Sequence, residues 1–276
     1  MKSSIWIFAL LLTLAAAIYQ RQTGPTYPFK TEVNTGIQKF PIEFKRSHAG
    51  PTDCPVVLQI PDIKVKGVLS YRKYPTNDEM TKVELKREGE KLTALLPNQP
   101  PAGKIEYRVD LEKDGAPIIF GNSKPVVIRF RGDVPALVII PHILLMFLAM
   151  FLSNATGLLA FFKIPTFKYW TVVTCAFLMV GGMIFGPIVQ KYAFNEFWTG
   201  VPFGFDLTDN KTLIAMLAWL LALAMSQKKS AAIWVIAASL ITIAIFSIPH
   251  SLYGSQLNQE TGKIIQGCIL PFLHLF

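Results

Sequence analysis

The chain has 276 residues, a mean hydropathy of +0.39 and 51% apolar side chains, more than an ordinary soluble protein carries. Its formal net charge is +9, yet residues 20–133 hold 19 Lys/Arg against 14 Asp/Glu, evenly spread, so no basic stripe forms and the charge argues against a nucleic-acid partner. Cys54, Cys175 and Cys268 supply neither a disulfide framework nor a zinc site, and leave Cys54 with Cys268 as an open pairing.

Charge breaks at Asp133: 33 charged residues lie in 20–133 and 11 in all that follows. The break predicts a water-facing domain followed by a membrane-embedded one. Before it, residues 4–19 form an apolar stretch behind Lys2 that ends in Ala15, Ala16 and Ala17. A charged start, apolar middle and small-residue finish describe a signal peptide over 1–19, and the same segment can stay as a membrane anchor. At about 16 residues it falls short of the roughly 20 that cross a bilayer core. Either fate carries the next domain out of the cytoplasm.

Residues 20–133 read as β structure. Ile105, Tyr107, Val109 and Leu111 alternate with charged residues, and shorter runs at 65–74, 83–86 and 91–95 do likewise. Period two marks strands with one wet face. Turn signals stand between them at Pro75-Thr76-Asn77-Asp78, Glu88-Gly89-Glu90, residues 97–103 and Lys113-Asp114-Gly115. Short strands about ten residues apart predict an all-β sandwich. Residues 67–130, with the strand Ser70-Tyr71-Arg72-Lys73-Tyr74, the turn Leu95-Leu96-Pro97 and the strand Gly103-Lys104-Ile105-Glu106-Tyr107-Arg108-Val109, resemble a fibronectin type III or immunoglobulin-like module.

Residues 134–255 hold four apolar segments, at 134–162, 169–190, 212–226 and 231–248, none containing Asp, Glu, Lys or Arg. They predict a bundle of four transmembrane helices with small residues at packing intervals, and the lack of ionisable groups argues against transport. Lys163, Lys168, Lys228 and Lys229 stand without acids in the two loops on one side. The positive-inside rule makes those loops cytoplasmic and places the β domain, the loop 191–211 and the tail 256–276 outside. Tyr169, Trp170 and Trp234 then form an inner aromatic belt, and Tyr192, Trp198 and Tyr253 an outer one.

One tripeptide occurs twice: Ile140-Pro141-His142 and Ile248-Pro249-His250. Antiparallel helices bring both toward the outer face, where His142 and His250 could ligate haem b or, with Met146 a turn below His142, a soft metal ion. The plain alternative is that each imidazole bonds backbone freed by its proline. The outer loop carries Trp198, Phe203 and Phe205 among glycines and a proline, which predicts a folded interfacial cap suited to interaction with a partner. Glu196, Asp206 and Asp209 could converge there on a cation. Otherwise the aspartates act at the start of the third helix, with Thr208 or Asp209 as its N-cap.

Tyr19 to Pro28 and Trp198 to Lys211 resemble an uncharacterised family of bacterial inner-membrane proteins with this layout along the whole chain. That resemblance implies a bacterial inner membrane and no functional residue. No nucleophile elbow, phosphate loop, dinucleotide fingerprint or His-Glu-x-x-His motif occurs, which points away from an enzyme. The expectation is an accessory, assembly or interaction component of an envelope complex. The second reading is an electron-transfer protein holding haem or a metal at His142 and His250.

Overall fold

In a computed structural model of the chain, residues 2–36, 38–120, 125–250, 252, 254–259, 261–262 and 264–265 are described. They divide into two compact units: a helical one of residues 2–25 and 134–255, and a β one of residues 26–133 and 256–265. Of the residues raised above, Tyr253 and Cys268 lie outside the described residues.

The helical unit begins with α1 (Lys2–Thr23). After the β region come α2 (Ala136–Phe161), α3 (Phe167–Leu178), a π-helical stretch (Met179–Phe185), α4 (Gly186–Phe194), α5 (Leu207–Ala224) and α6 (Ala231–Ser247). Ser3–Thr23, Ala136–Phe161, Phe167–Phe194 and Leu207–Ala224 are long and apolar enough to cross a bilayer, and the chain is a membrane protein. Helix α6, at 17 residues, sits at the short end of spanning length.

Helices in lipid gain little from burying apolar side chains, so close backbone approach decides their packing. A Cβ on Gly157 of α2 would stand 2.3 Å from the Ser239 hydroxyl of α6, so only glycine admits this contact. Against another side of α6, Trp219 of α5 donates its indole N–H to Thr242 at 2.9 Å. Leu137, Ile143, Leu217, Ile233 and Leu240 remain exposed on the outside of these helices, as apolar solvent requires.

The β unit contains β1 (Phe29–Asn34), β2 (Lys39–Phe44), β3 (Ser47–Ala49), β4 (Cys54–Gln59), β5 (Val65–Lys73), β6 (Thr81–Glu84), β7 (Lys86–Glu88), β8 (Lys91–Leu96), β9 (Lys104–Lys113), β10 (Ala116–Ile118) and β11 (Val126–Arg131). After the helices come β12 (Gln256–Leu257) and β13 (Ile264–Ile265). The six-stranded sheet runs β3-β11-β9-β5-β6 with β10 beside β9, and a three-stranded sheet runs β4-β8-β7. Strands β1 with β2 and β12 with β13 form separate pairs. In the register Leu69↔Val109 and Tyr71↔Tyr107, one face of the central pair enters the core with Leu58, Leu92, Leu96, Phe44 and Phe130. Arg87 of β7 ties the segment between β4 and β5 to that edge, donating to the carbonyls of Ile60, Asp62 and Val65 at 2.8, 3.0 and 2.6 Å.

The expected architecture, an Ig- or fibronectin-like sandwich followed by a bundle of four transmembrane helices, is corrected by this fold. An N-terminal helix comes first and packs into the bundle. The strands that follow form several small sheets, one containing a parallel pair, β3 with β11. Then come the four helical segments. Period-two patterning marks each strand but not its partner, so the partition of strands among sheets is not encoded in it. Residues 256–265, expected as a tail, belong to the β unit. There Leu257 N–H donates to the Ala102 carbonyl at 3.1 Å and Lys104 Nζ to Gln256 Oε1 at 2.8 Å.

Candidate functional site: a polar knot at one end of the bundle

One end of the helical unit gathers the C-terminal ends of α1, α4 and α6 with the N-terminal end of α5. A helix that starts at such an end leaves four backbone N–H groups without partners, and one that finishes there leaves carbonyls. The residues clustered at this end answer those needs.

Asp206 is the N-cap of α5. Its Oδ1 accepts from Thr208 N–H at 2.8 Å, while Oδ2 accepts from the N–H and the hydroxyl of Ser255 at 3.1 and 3.0 Å. One turn on, Asp209 Oδ2 accepts the Thr199 N–H at 2.6 Å and its hydroxyl at 3.1 Å, and Gln190 of α4 donates to that hydroxyl at 2.6 Å. Asn210 Oδ1 accepts Val201 N–H at 2.8 Å. Gly200 lies so close that a Cβ would sit 2.7 Å from Asp209 Cβ and 2.8 Å from Asn210 Oδ1, which requires glycine. The loop 195–206 is therefore fastened to the first turn of α5 by side chains of that turn.

Lys211, only 1% exposed, donates to the Ile248 and Pro249 carbonyls at 2.8 and 3.4 Å. Gln20 of α1 donates to the Phe246 and Ile248 carbonyls. Pro249 cannot continue α6, and these two donors satisfy the carbonyls it strands. A cation suits that helix end electrostatically as well.

His142 donates from Nδ1 to the Gly181 carbonyl at 2.9 Å. The same oxygen receives Gly186 N–H across the π-helical stretch. Cβ atoms on Gly181 and Gly182 would meet Leu145 at 2.8 Å and Thr212 at 2.7 Å, so paired glycines let this stretch press against its neighbours. The imidazole bonds backbone, although the backbone comes from the π-helical stretch and not from the turn before Pro141. His250 lies beyond the end of α6 and is exposed.

The two aspartates do lie together, but each carboxylate is turned inward onto donors of the chain, and Glu196 is exposed. Among the described residues no three of His, Cys, Asp and Glu are grouped to hold a metal ion. Asp206, and not Thr208 or Asp209, caps α5. The segment also begins at Leu207, so Asp209 and Lys211 stand inside a helix read as free of ionisable groups. Beside Asn195 and Glu196, the loop also turns aromatics outward: Phe197 is 56% exposed, Phe203 77% and Phe205 67%, with Trp198 half-buried and donating to the Val201 carbonyl at 3.1 Å. Gln20, Gln190, Thr199 and Lys211 were not singled out from sequence; Gln20 and Lys211 at the polar margins of apolar runs were the legible signal.

No protein-family model matches the chain, and no curated protein shows significant similarity to it.

Proposed function

We propose that the protein is a non-catalytic component of an envelope complex in the bacterial inner membrane, docking a partner membrane protein through the loop 195–206. The carrying observation is the contrast within that loop. Thr199 and the Val201 N–H are bonded to side chains of α4 and α5, while Phe197, Phe203 and Phe205 stand outward on that fastened backbone. Rigid aromatic side chains lose little entropy on association and dominate interface energetics. The lysine-only loops at Lys163, Lys168, Lys228 and Lys229 support placing the opposite end, with this loop and the β unit, on the periplasmic side.

The test is a photo-crosslinking side chain at Phe203 in cells, compared with one at Leu137 on the outside of α2. A discrete protein adduct at 203 that disappears in Phe197→Ser with Phe205→Ser, with unfolding temperature unchanged, is expected. Adducts to lipid alone at both positions overturn the reading and leave the aromatics as an interfacial belt. The purified sample also decides the haem alternative, since a Soret band would assign His142 and His250 to a cofactor.

A further inference from the structure

We infer that α1 is a permanent fifth span of the bundle and is not removed as a leader. The segment has the composition of a signal peptide, but its side chains are divided as in an integral helix. Ile5, Ala9, Thr13 and Ala16, at spacings of four, four and three, are buried at 5%, 0%, 0% and 9% exposure. Ile7, Phe8, Leu11 and Ile18, on the other faces, are 55–60% exposed and uniformly apolar. The helix covers 22 residues, about 33 Å at 1.5 Å per residue, enough for a hydrocarbon core of roughly 30 Å.

Three contacts fix its depth and direction. Near the start, the Trp6 ring meets those of Trp170, at the beginning of α3, and Phe151, with centroids 4.8 and 5.6 Å apart. In the middle, Asn154 of α2 donates from Nδ2 to the Thr13 hydroxyl at 2.9 Å, and that hydroxyl donates to the Ala9 carbonyl at 2.8 Å. At the end, Gln20 caps α6. Asn154 is 3% exposed, so loss of Thr13 would leave its amide orphaned within the hydrocarbon. Ala15, Ala16 and Ala17, the small-residue finish, lie inside the helix, which continues to Thr23 and would have to unwind for a peptidase to cut there.

The full chain, tagged at its C-terminus and purified from native membranes, should give an intact mass that includes residues 2–17. A mass short of those residues, with a new N-terminus near Ile18, overturns the inference. A second measurement uses Thr13→Val, Asn154→Leu and the double variant. Each single change should lower the apparent Tm by a few degrees, and the double by less than their sum, because either change breaks the same bond. Additive losses, or a Thr13→Val variant as stable as the parent, would show that α1 is not seated there.

Discussion

At the scale of single residues, the polar knot is a matter of orphaned backbone groups, and its side chains differ in what depends on them. Removing the carboxylate of Asp209 leaves the Thr199 N–H buried without an acceptor, a penalty of about 1–3 kcal/mol. Asp209→Ala should therefore lower thermal stability in detergent and make the loop 195–206 more protease-sensitive, whereas Glu196→Gln, on an exposed residue, should change neither. Lys104 gives a prediction in pH. Burial, aided by the Arg129 charge, lowers it from 10.5 to about 8, although its Nζ donates to Gln256. Between those values the unfolded chain holds a proton that the folded chain has released. Its contribution therefore makes stability rise with pH from about 8 to 10.5, and leaves it flat below. Lys104→Met should abolish that part of the slope in denaturant titrations across pH. The residue types at this scale were legible, since acids beside Leu207 announced a helix start. Their partners were not, because Thr199 meets Asp209 and Ser255 meets Asp206 through loop geometry, and Gly181 meets His142 across two packed helical segments, and no local pattern encodes either.

At the scale of elements, what decided legibility was whether the signal is periodic along one segment or arises between two. The alternation at 105–111 is periodic, and β9 buries Ile105, Tyr107, Val109 and Leu111 as it requires. Which strands then pair is a property of two segments, and the sheets fell otherwise than expected. Element ends failed for another reason: Gln20 and Arg21 made α1 look shorter than its span to Thr23, and Asp209 with Lys211 made α5 look as if it began at Thr212. Charged and amide side chains are disfavoured in lipid alone, but these helix ends have partners to bond. Small residues mark helix interfaces more surely. The Ser239 hydroxyl occupies the space where a side chain on Gly157 would go. Gly157→Val must separate α2 from α6 and should lower the unfolding midpoint by about 1–3 kcal/mol equivalent. Gly157→Ala combined with Ser239→Gly should recover part of the loss that Gly157→Ala alone incurs, read as the detergent Tm of the three variants.

For the whole molecule, charge changes along the chain at Asp133, but that change could not reveal that residues 256–265 return to the β unit, since the bond from Leu257 N–H to the Ala102 carbonyl joins positions far apart in sequence. Connectivity then constrains sidedness. The chain leaves α1, builds most of the β unit and enters α2, and it comes back to that unit from α6, so the C-terminal end of α1, the start of α2 and the finish of α6 must face one compartment if all five segments span. On the same condition the loop 195–206 joins them, since α3 through α4 would then cross back, and the bond from Lys211 to the Ile248 carbonyl ties the start of α5 to the finish of α6. In a background with Cys268→Ser, where Cys54 and Cys175 are buried, single cysteines at Ile119, Phe203 and Lys229 test this order. A membrane-impermeant maleimide added to spheroplasts should label 119 and 203 alike, and label 229 only after permeabilisation. Labelling of 203 in step with 229 would mean that the segment from α3 to α4 does not cross, and the aromatic loop would then face the cytoplasm, away from the compartment assigned to its partner.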